Sequence, residues 1–222
     1  MNQSEKRLFL IQSLLKERPE YRDLSIPSES DSQRQLLRGL MNIRAPQRTD
    51  AEFLKTQDAY LQGETAAKGI TDIAGLTPIQ PGLYLWQGDI TTLKCDAIVN
   101  AANSGMTGCY IPNHRCIDNA IHTYAGVELR LACAELMEQQ GHPEPTGQAK
   151  ITPAFNLPCR YVLHTVGPII DGRVTKEDKE LLASCYRSCL ELAAEIAVRT
   201  VKEFLKKQTS VKKVIFNVFK DL

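Results

Sequence analysis

The sequence predicts an α/β domain preceded by a helical extension. Three observations predict it: apolar residues at helical spacing through the first third, short β-rich runs after Pro78 and Pro81, and alternation of such runs with helical segments beyond them.

In the N-terminal part, Leu8, Ile11, Leu14 and Leu15, and then Leu36, Leu37, Leu40 and Met41, form apolar stripes. They predict short helices between Ser4 and about Leu76. The Ser- and Pro-bearing stretch from Ile26 to Ser32 separates the first two, and Pro46 separates the second from a third starting near Asp50. Residues 1–78 are thus expected to be a helical extension and 82–222 the α/β domain. Within the latter, LYLWQGDI and CDAIVNAAN read as strands feeding loops. Ile117 to Gln140 reads as one helix with Ile121, Tyr124, Ala125, Leu129, Ala132 and Leu136 on a shared face. KITPAF and RYVLHTVG read as two further strands, and Lys213 to Phe219 as the last.

Composition narrows the function classes. The 222 residues, 43% of them apolar, suffice for one sizeable core. Lys and Arg total 27 against 26 Asp and Glu, so no general field draws the chain to nucleic acid or to an anionic membrane. No apolar run approaches the roughly 20 residues of a spanning helix. The N-terminus lacks a signal-like apolar region, and the expected compartment is the cytoplasm. Seven cysteines in such a chain suggest thiols or metal ligands before a disulfide framework.

The sharpest local feature is Cys109-Tyr-Ile-Pro-Asn-His114-Arg-Cys116, which places two thiols and an imidazole within eight residues at the start of a helix. Thiolate, imidazole and thiolate form a zinc set, and three ligands leave a coordination position open. The same spacing also suits two small buried cysteines beside a solvated histidine. Gly88-Asp89-Ile90-Thr91 and Asn100-Ala-Ala-Asn103 follow neighbouring strands, at the sheet edge where ligands of α/β proteins bind. Either motif alone is an ordinary turn. His122 and His164 are expected to be packed and hydrogen-bonded, His142 solvated, and Trp86 a core residue before an adenine-stacking one.

Taken in order, GDIT, DAIVNAAN, AIHTYAG and TGQAKITPAFNLPCRYVLHTVGP resemble the macrodomain family, which binds ADP-ribose and related nucleotides. The resemblance covers about residues 82 to 190. It implies three α/β/α layers around a mixed, mostly parallel sheet. Where common macrodomains carry a glycine run, this sequence has SGMTGCYIPNHRCIDNAIH, which resembles the zinc-containing branch. That branch implies zinc at Cys109, His114 and Cys116 and hydrolysis of ADP-ribose from modified proteins. Residue by residue, the resemblance assigns Asp89 and the backbone of Ile90 to adenine and Asn103 to the distal ribose. It puts Ile117, Asp118 and Asn119 near the diphosphate and distal ribose, with Asn103 and Asp118 as the catalytic pair. A helix amino terminus suits anionic phosphate, while the Asp118 carboxylate repels it, so Asp118 reads as a helix acid, an orienter or a base toward water. Implied partners are ADP-ribose, an ADP-ribosylated protein, and a lipoyl-carrier protein acting with a sirtuin-like ADP-ribosyl transferase.

One departure stands out. The family pattern has a strand and a Gly-rich loop between two helices, whereas here Leu181 to Lys207 runs without Gly or Pro, as if shortened between Leu190 and Ile196. Loss of that segment would break the sheet and remove donors to the diphosphate. It opens two alternatives to hydrolysis: a module that binds ADP-ribose without cleaving it, and a remnant in which zinc is structural.

Overall fold

The computed structural model describes residues 1–21, 23–204 and 214–218, with side chains described through residue 195. The extension comprises α1 (Gln3–Lys16), α2 (Ser30–Ile43) and α3 (Ala51–Lys68). Each start has a local cause: Asn2 and Glu5 form a reciprocal capping box on α1, and the Asp50 carboxylate accepts from Phe53 N–H on α3. The predicted stripes face one another. Leu10, Ile11, Leu14, Leu37, Leu40 and Phe53 make a core of their own, closed from outside the extension by Val127.

The last α-helix of the extension ends at Lys68, earlier than the sequence suggested; the chain then enters β1 (Thr71–Asp72), a 3-10 turn at Ile73–Gly75 and β2 (Pro78–Gln80). β3 (Leu83–Gln87), β4 (Leu93–Lys94) and β5 (Ala97–Ala102) follow, then α4 (Ile117–Ala125) and α5 (Val127–Gln140). The single helix expected from Ile117 to Gln140 is thus two. Gly126, at φ 98°, breaks it, and a β-carbon there would lie 2.7 Å from the Gln57 amide, whose oxygen accepts from Val127 N–H at 2.8 Å. Glycine at this corner lets α3 dock on the domain.

β6 (Ala149–Pro153), β7 (Tyr161–Val166), α6 (Lys176–Phe204) and β8 (Val214–Val218) complete the order. Lys213 and Phe219, the ends of the predicted last strand, and residues 205–207 of the predicted helix lie outside the described residues. The sheet is mixed as expected: β5 runs parallel to β7, β7 antiparallel to β6, β3 parallel to β8 and antiparallel to β2. It is not continuous. One sheet has the order β2-β3-β8 and another β5-β7-β6, so β8 and β5 are both edges among the described residues. A second core, with Ile98, Ile121, Leu129, Leu157 and Val162, lies between the β5 sheet and the α4–α5 pair. On the other face α6 packs on β6 and β7, and Val99 of β5 stays 44% exposed.

Candidate functional site

The β5 carboxyl end delivers Asn100 and Asn103 to the amino end of α4, where Asp118 sits in the first turn. Asn100 is fully buried, and its amide donates to Asp118 Oδ1 at 2.8 Å. Asn103 is exposed; its amide donates to the Gly108 carbonyl at 3.1 Å and lies 3.3 Å from Asp118 Oδ2. The two residues carried over as a catalytic pair are therefore in direct contact. Burial raises the Asp118 carboxyl above its ordinary pKa, against the Asn100 hydrogen bond and the Arg130 charge. Because it is 5% exposed and turned toward two amides, Asp118 is not an open anion facing a diphosphate.

Behind Asp118 the network continues inward. The remaining Asn100 N–H points at His164 Nδ1, 3.1 Å away, and His164 Nε2 lies 2.9 Å from the Thr152 hydroxyl. Those partners fix a neutral tautomer with the proton on Nε2, and burial lowers the His164 pKa to about 4. His164 is packed and hydrogen-bonded, as expected. His122 is packed but lacks hydrogen-bond partners among the described residues at either ring nitrogen, which corrects half of that expectation. Its Nε2 is 3.5 Å from Asp118 Oδ1, but burial drives its pKa well below the ordinary value, so the neutral ring makes no ion pair there. It borders a pocket of about 10 Å³, the space of roughly one water.

His122, Cys133 and His164 also bring possible ligand atoms within 4.8 Å of one another. A metal on His164 Nε2 would force a proton onto Nδ1, against the Asn100 amide, so this cluster reads as a hydrogen-bonded core.

The loop before α4 holds the other ligand set. Among the described residues, the potential ligand atoms of Cys109, His114 and Cys116 also lie within 4.8 Å of one another, at the surface. Cys109 Sγ is 3.6 Å from His114 Nδ1. Tetrahedral zinc with bonds of about 2.3 Å to sulfur and 2.0–2.1 Å to nitrogen requires an S···N edge of about 3.6 Å. The residues thus fit the ion. Burial and the neighbouring Cys109 thiol raise the Cys116 pKa, so protons stay on sulfur until a cation displaces them. Cys116 also caps α4, its sulfur accepting from Asn119 N–H at 3.4 Å. All seven cysteines are free, and burial pushes the Cys133 and Cys159 thiols up to about 12, which leaves them unreactive.

At the far end of the wall, Asp89 caps the short helical turn Ile90–Thr92 by accepting from Thr91 N–H and its hydroxyl. Its second oxygen pairs with Lys68 Nζ at 2.9 Å, and Lys68 lies over the Tyr124 ring. Burial works to raise the Asp89 pKa, but Thr91 and Lys68 outweigh it and the net shift is downward. Ile90 and Ile117 are partly exposed. Asn119 is wholly buried: its oxygen accepts two bonds from Arg38, and its amide donates to the Ile111 carbonyl. The Asn119 side chain is scaffold, and its backbone N–H is taken by Cys116 Sγ.

Sequence reasoning missed Asn100, Arg38, Arg130 and Lys68. Asn100 stood inside the quoted NAAN run and on the buried phase of β5, so the strand's alternation was enough to place it inward. The two arginines and the lysine act across 21 to 89 residues of sequence and leave no local pattern.

Polar side chains gathered at strand carboxyl ends, opposite a helix amino terminus, are the arrangement with which α/β domains commonly receive phosphate-bearing ligands. The macro domain family model matches residues 99–203. A protein-ADP-ribose hydrolase of Treponema medium is 54% identical over 250 aligned positions, which span 100% of this chain and 96% of that protein. One from Staphylococcus aureus (strain MSSA476) is 46% identical, over 96% of this chain and 90% of that protein. Among solved structures, the Trypanosoma brucei macrodomain in complex with ADP superposes with a TM-score of 0.54 at 25% identity, covering 84% of this chain and 91% of that one. The chain belongs to the macro domain family.

Proposed function

We propose that this chain is a zinc-dependent hydrolase that removes mono-ADP-ribose from modified proteins, with residues 1–78 as extension and 82–222 as the working domain. The observation that carries the reading is the contact between Asn103 and Asp118 next to three convergent zinc-type ligands. The hydrolases of Treponema medium and Staphylococcus aureus support it by their full-length similarity. In this reading Asp89 and the Ile90 backbone take the adenine. Asn103 orients the distal ribose, and in the first turn of α4 the backbone N–H groups of Ile117 and Asp118 face the diphosphate, while Asn119, engaged by Cys116 and Arg38, holds the turn in shape. Asp118 holds Asn103 and takes a proton from the attacking water. The water oxygen bonds to the anomeric carbon of the distal ribose, and the bond to the protein side chain breaks, releasing that side chain with a proton. A raised pKa suits Asp118 to this task. Cys109, His114 and Cys116 would hold zinc, which would supply a Lewis-acid contact to the ribose; two thiolate donors favour positioning over water activation. The partners implied by resemblance, a lipoyl-carrier protein and a sirtuin-like transferase, belong to the same reading.

We also read the chain as shortened between Leu190 and Ile196. Supporting this, α6 runs unbroken, β8 and β5 are unjoined, and the alignment with the Treponema medium protein spans more positions than the 222 residues here. Lost diphosphate donors remove binding shared by substrate and transition state, so the expected defect is a raised KM. The same observations favour a second reading, a module that binds ADP-ribose without cleaving it. Incubation with a mono-ADP-ribosylated protein, read as released ADP-ribose, separates the two. Release abolished in Asp118→Ala supports hydrolysis; calorimetric binding without release at any substrate concentration supports the module.

A further inference from the structure

The ligand-bearing loop is held less by its own sheet than by the extension. Arg38, on α2, donates to the His114 carbonyl at 3.1 Å and grips Asn119 Oδ1 with two bonds of 3.1 and 2.8 Å. Asn119 in turn donates its backbone N–H to Cys116 Sγ and its amide to the Ile111 carbonyl. One turn along α2, Asn42 accepts from Asn113 N–H at 3.0 Å and donates to the Thr123 hydroxyl at 3.0 Å. Asn113 sits at φ 56°, a left-handed conformation that asparagine adopts more readily than most residues, and Asn42 holds its N–H there. Between these two grips Gly39 gives the loop room: a β-carbon there would lie 3.3 Å from the Asn113 amide. At the loop's other end Arg130 donates to the Thr107 carbonyl at 2.7 Å and the Cys109 carbonyl at 3.4 Å. Its Nη1 binds the Met41, Asn42 and Arg44 carbonyls at the end of α2.

Each residue of the ligand set is therefore fastened within one or two bonds of α2. Cys109 is reached through Arg130, His114 through Arg38, and Cys116 through Asn119 and Arg38. Partners of metal ligands set how well those ligands match an ion's geometry, and their loss typically weakens metal binding by about 10–100-fold. We propose that α2 is part of the metal site, and that Arg38 and Asn42 are positioning residues that pre-set the Cys109–Cys116 loop for a tetrahedral cation. The inference rests on the zinc reading above and adds to it a role for the extension.

The test uses the full chain loaded with zinc or cobalt(II): wild type, Arg38→Ala, Arg38→Lys and Asn42→Ala. Affinity is read by chelator competition, ligand geometry by the cobalt(II) visible spectrum, and metal-free stability by urea unfolding. Arg38→Ala and Asn42→Ala are expected to lose roughly 10–100-fold in zinc affinity with a changed cobalt spectrum. Arg38→Lys keeps the charge but not the forked grip on Asn119 and should recover only part of the loss. Should Arg38→Ala fail to fold, Arg38→Lys carries the same comparison. Unchanged affinity and spectrum in the Arg38 variants, with only the urea midpoint lowered, would overturn the role of α2. A wild-type chain that binds neither ion would overturn the zinc reading and this inference with it.

Discussion

The loop from Cys109 to Cys116 and the outer face of α6 are built in opposite ways. The loop is short of apolar packing and exposed at His114, yet α2 and α5 fix its backbone through the buried or half-buried groups of Asn42, Arg38 and Arg130. α6 is a long apolar-patterned helix, but it docks through one side only: Cys185 and Cys189 are buried, while Leu182 and Leu190 stay 48% and 50% exposed. Among its described residues, the Ser184 and Ser188 hydroxyls donate to the Gly147 carbonyl and the Cys185 thiol to the Val166 carbonyl. Apolar patterning does not by itself secure an element. A polar loop with three carbonyls, those of Cys109, Ile111 and His114, claimed by Arg130, Asn119 and Arg38 is held more firmly than an apolar helix that covers only part of a sheet.

The largest effect that tests this contrast is Arg130→Ala. It would strip the donors from several buried carbonyls at the end of α2 and in the loop, and should cost about 3–5 kcal/mol in urea unfolding. Leu190→Ala, on the half-exposed face, should stay within about 0.5 kcal/mol. Similar losses for the two would erase the distinction.

Acid comes next. His164 is held neutral in the fold, with a pKa lowered from 6.5 to about 4. Above pH 6.5 both folded and unfolded forms are neutral and no proton is linked to folding. As pH falls from 6.5 toward 4 the unfolded chain binds the proton first, so stability drops, by about 3 kcal/mol in total. His122, shifted the same way, adds to the slope. Unfolding free energies measured between pH 7 and 4 should show this fall, and His164→Gln should flatten it; an unchanged slope in that variant would place the linkage elsewhere.

The smallest effect concerns Asp89. Lys68 and Asp89 form a pair 32% and 40% exposed, so Lys68→Ala should cost no more than about 1 kcal/mol and less at high salt. It should also let the Asp89 pKa rise, readable by carboxyl NMR, since Lys68 is one of the groups holding it down. An Asp89 titration that does not move would mean that Thr91 alone sets it.

Much of this was legible in sequence. Helical stripes named Ile11, Leu14, Leu37, Leu40 and Met41, which are core, but put Leu8 where the core takes Leu10; the alternation in DAIVNAAN and RYVLHTVG marked β5 and β7. The eight-residue run from Cys109 to Cys116 placed three ligand atoms together because a short loop cannot carry them far apart. The break at Gly126 was less legible: one glycine in a helical pattern is ambiguous until Gln57 is seen against it.

Sequence alone sufficed for most helices and the longer strands, for their apolar faces, and for three soft ligands on one loop. Periodicity carries that information because burial repeats with the backbone. Only the tertiary structure decided that Asp89 is paired with Lys68, that Asn119 serves Arg38, and that the Asp118 carboxylate turns inward to Asn100 and Asn103. It also decided that the sheet parts between β8 and β5. Such pairings join groups far apart in the chain through single directional hydrogen bonds, and one donor meeting one acceptor leaves no repeat for a sequence to display.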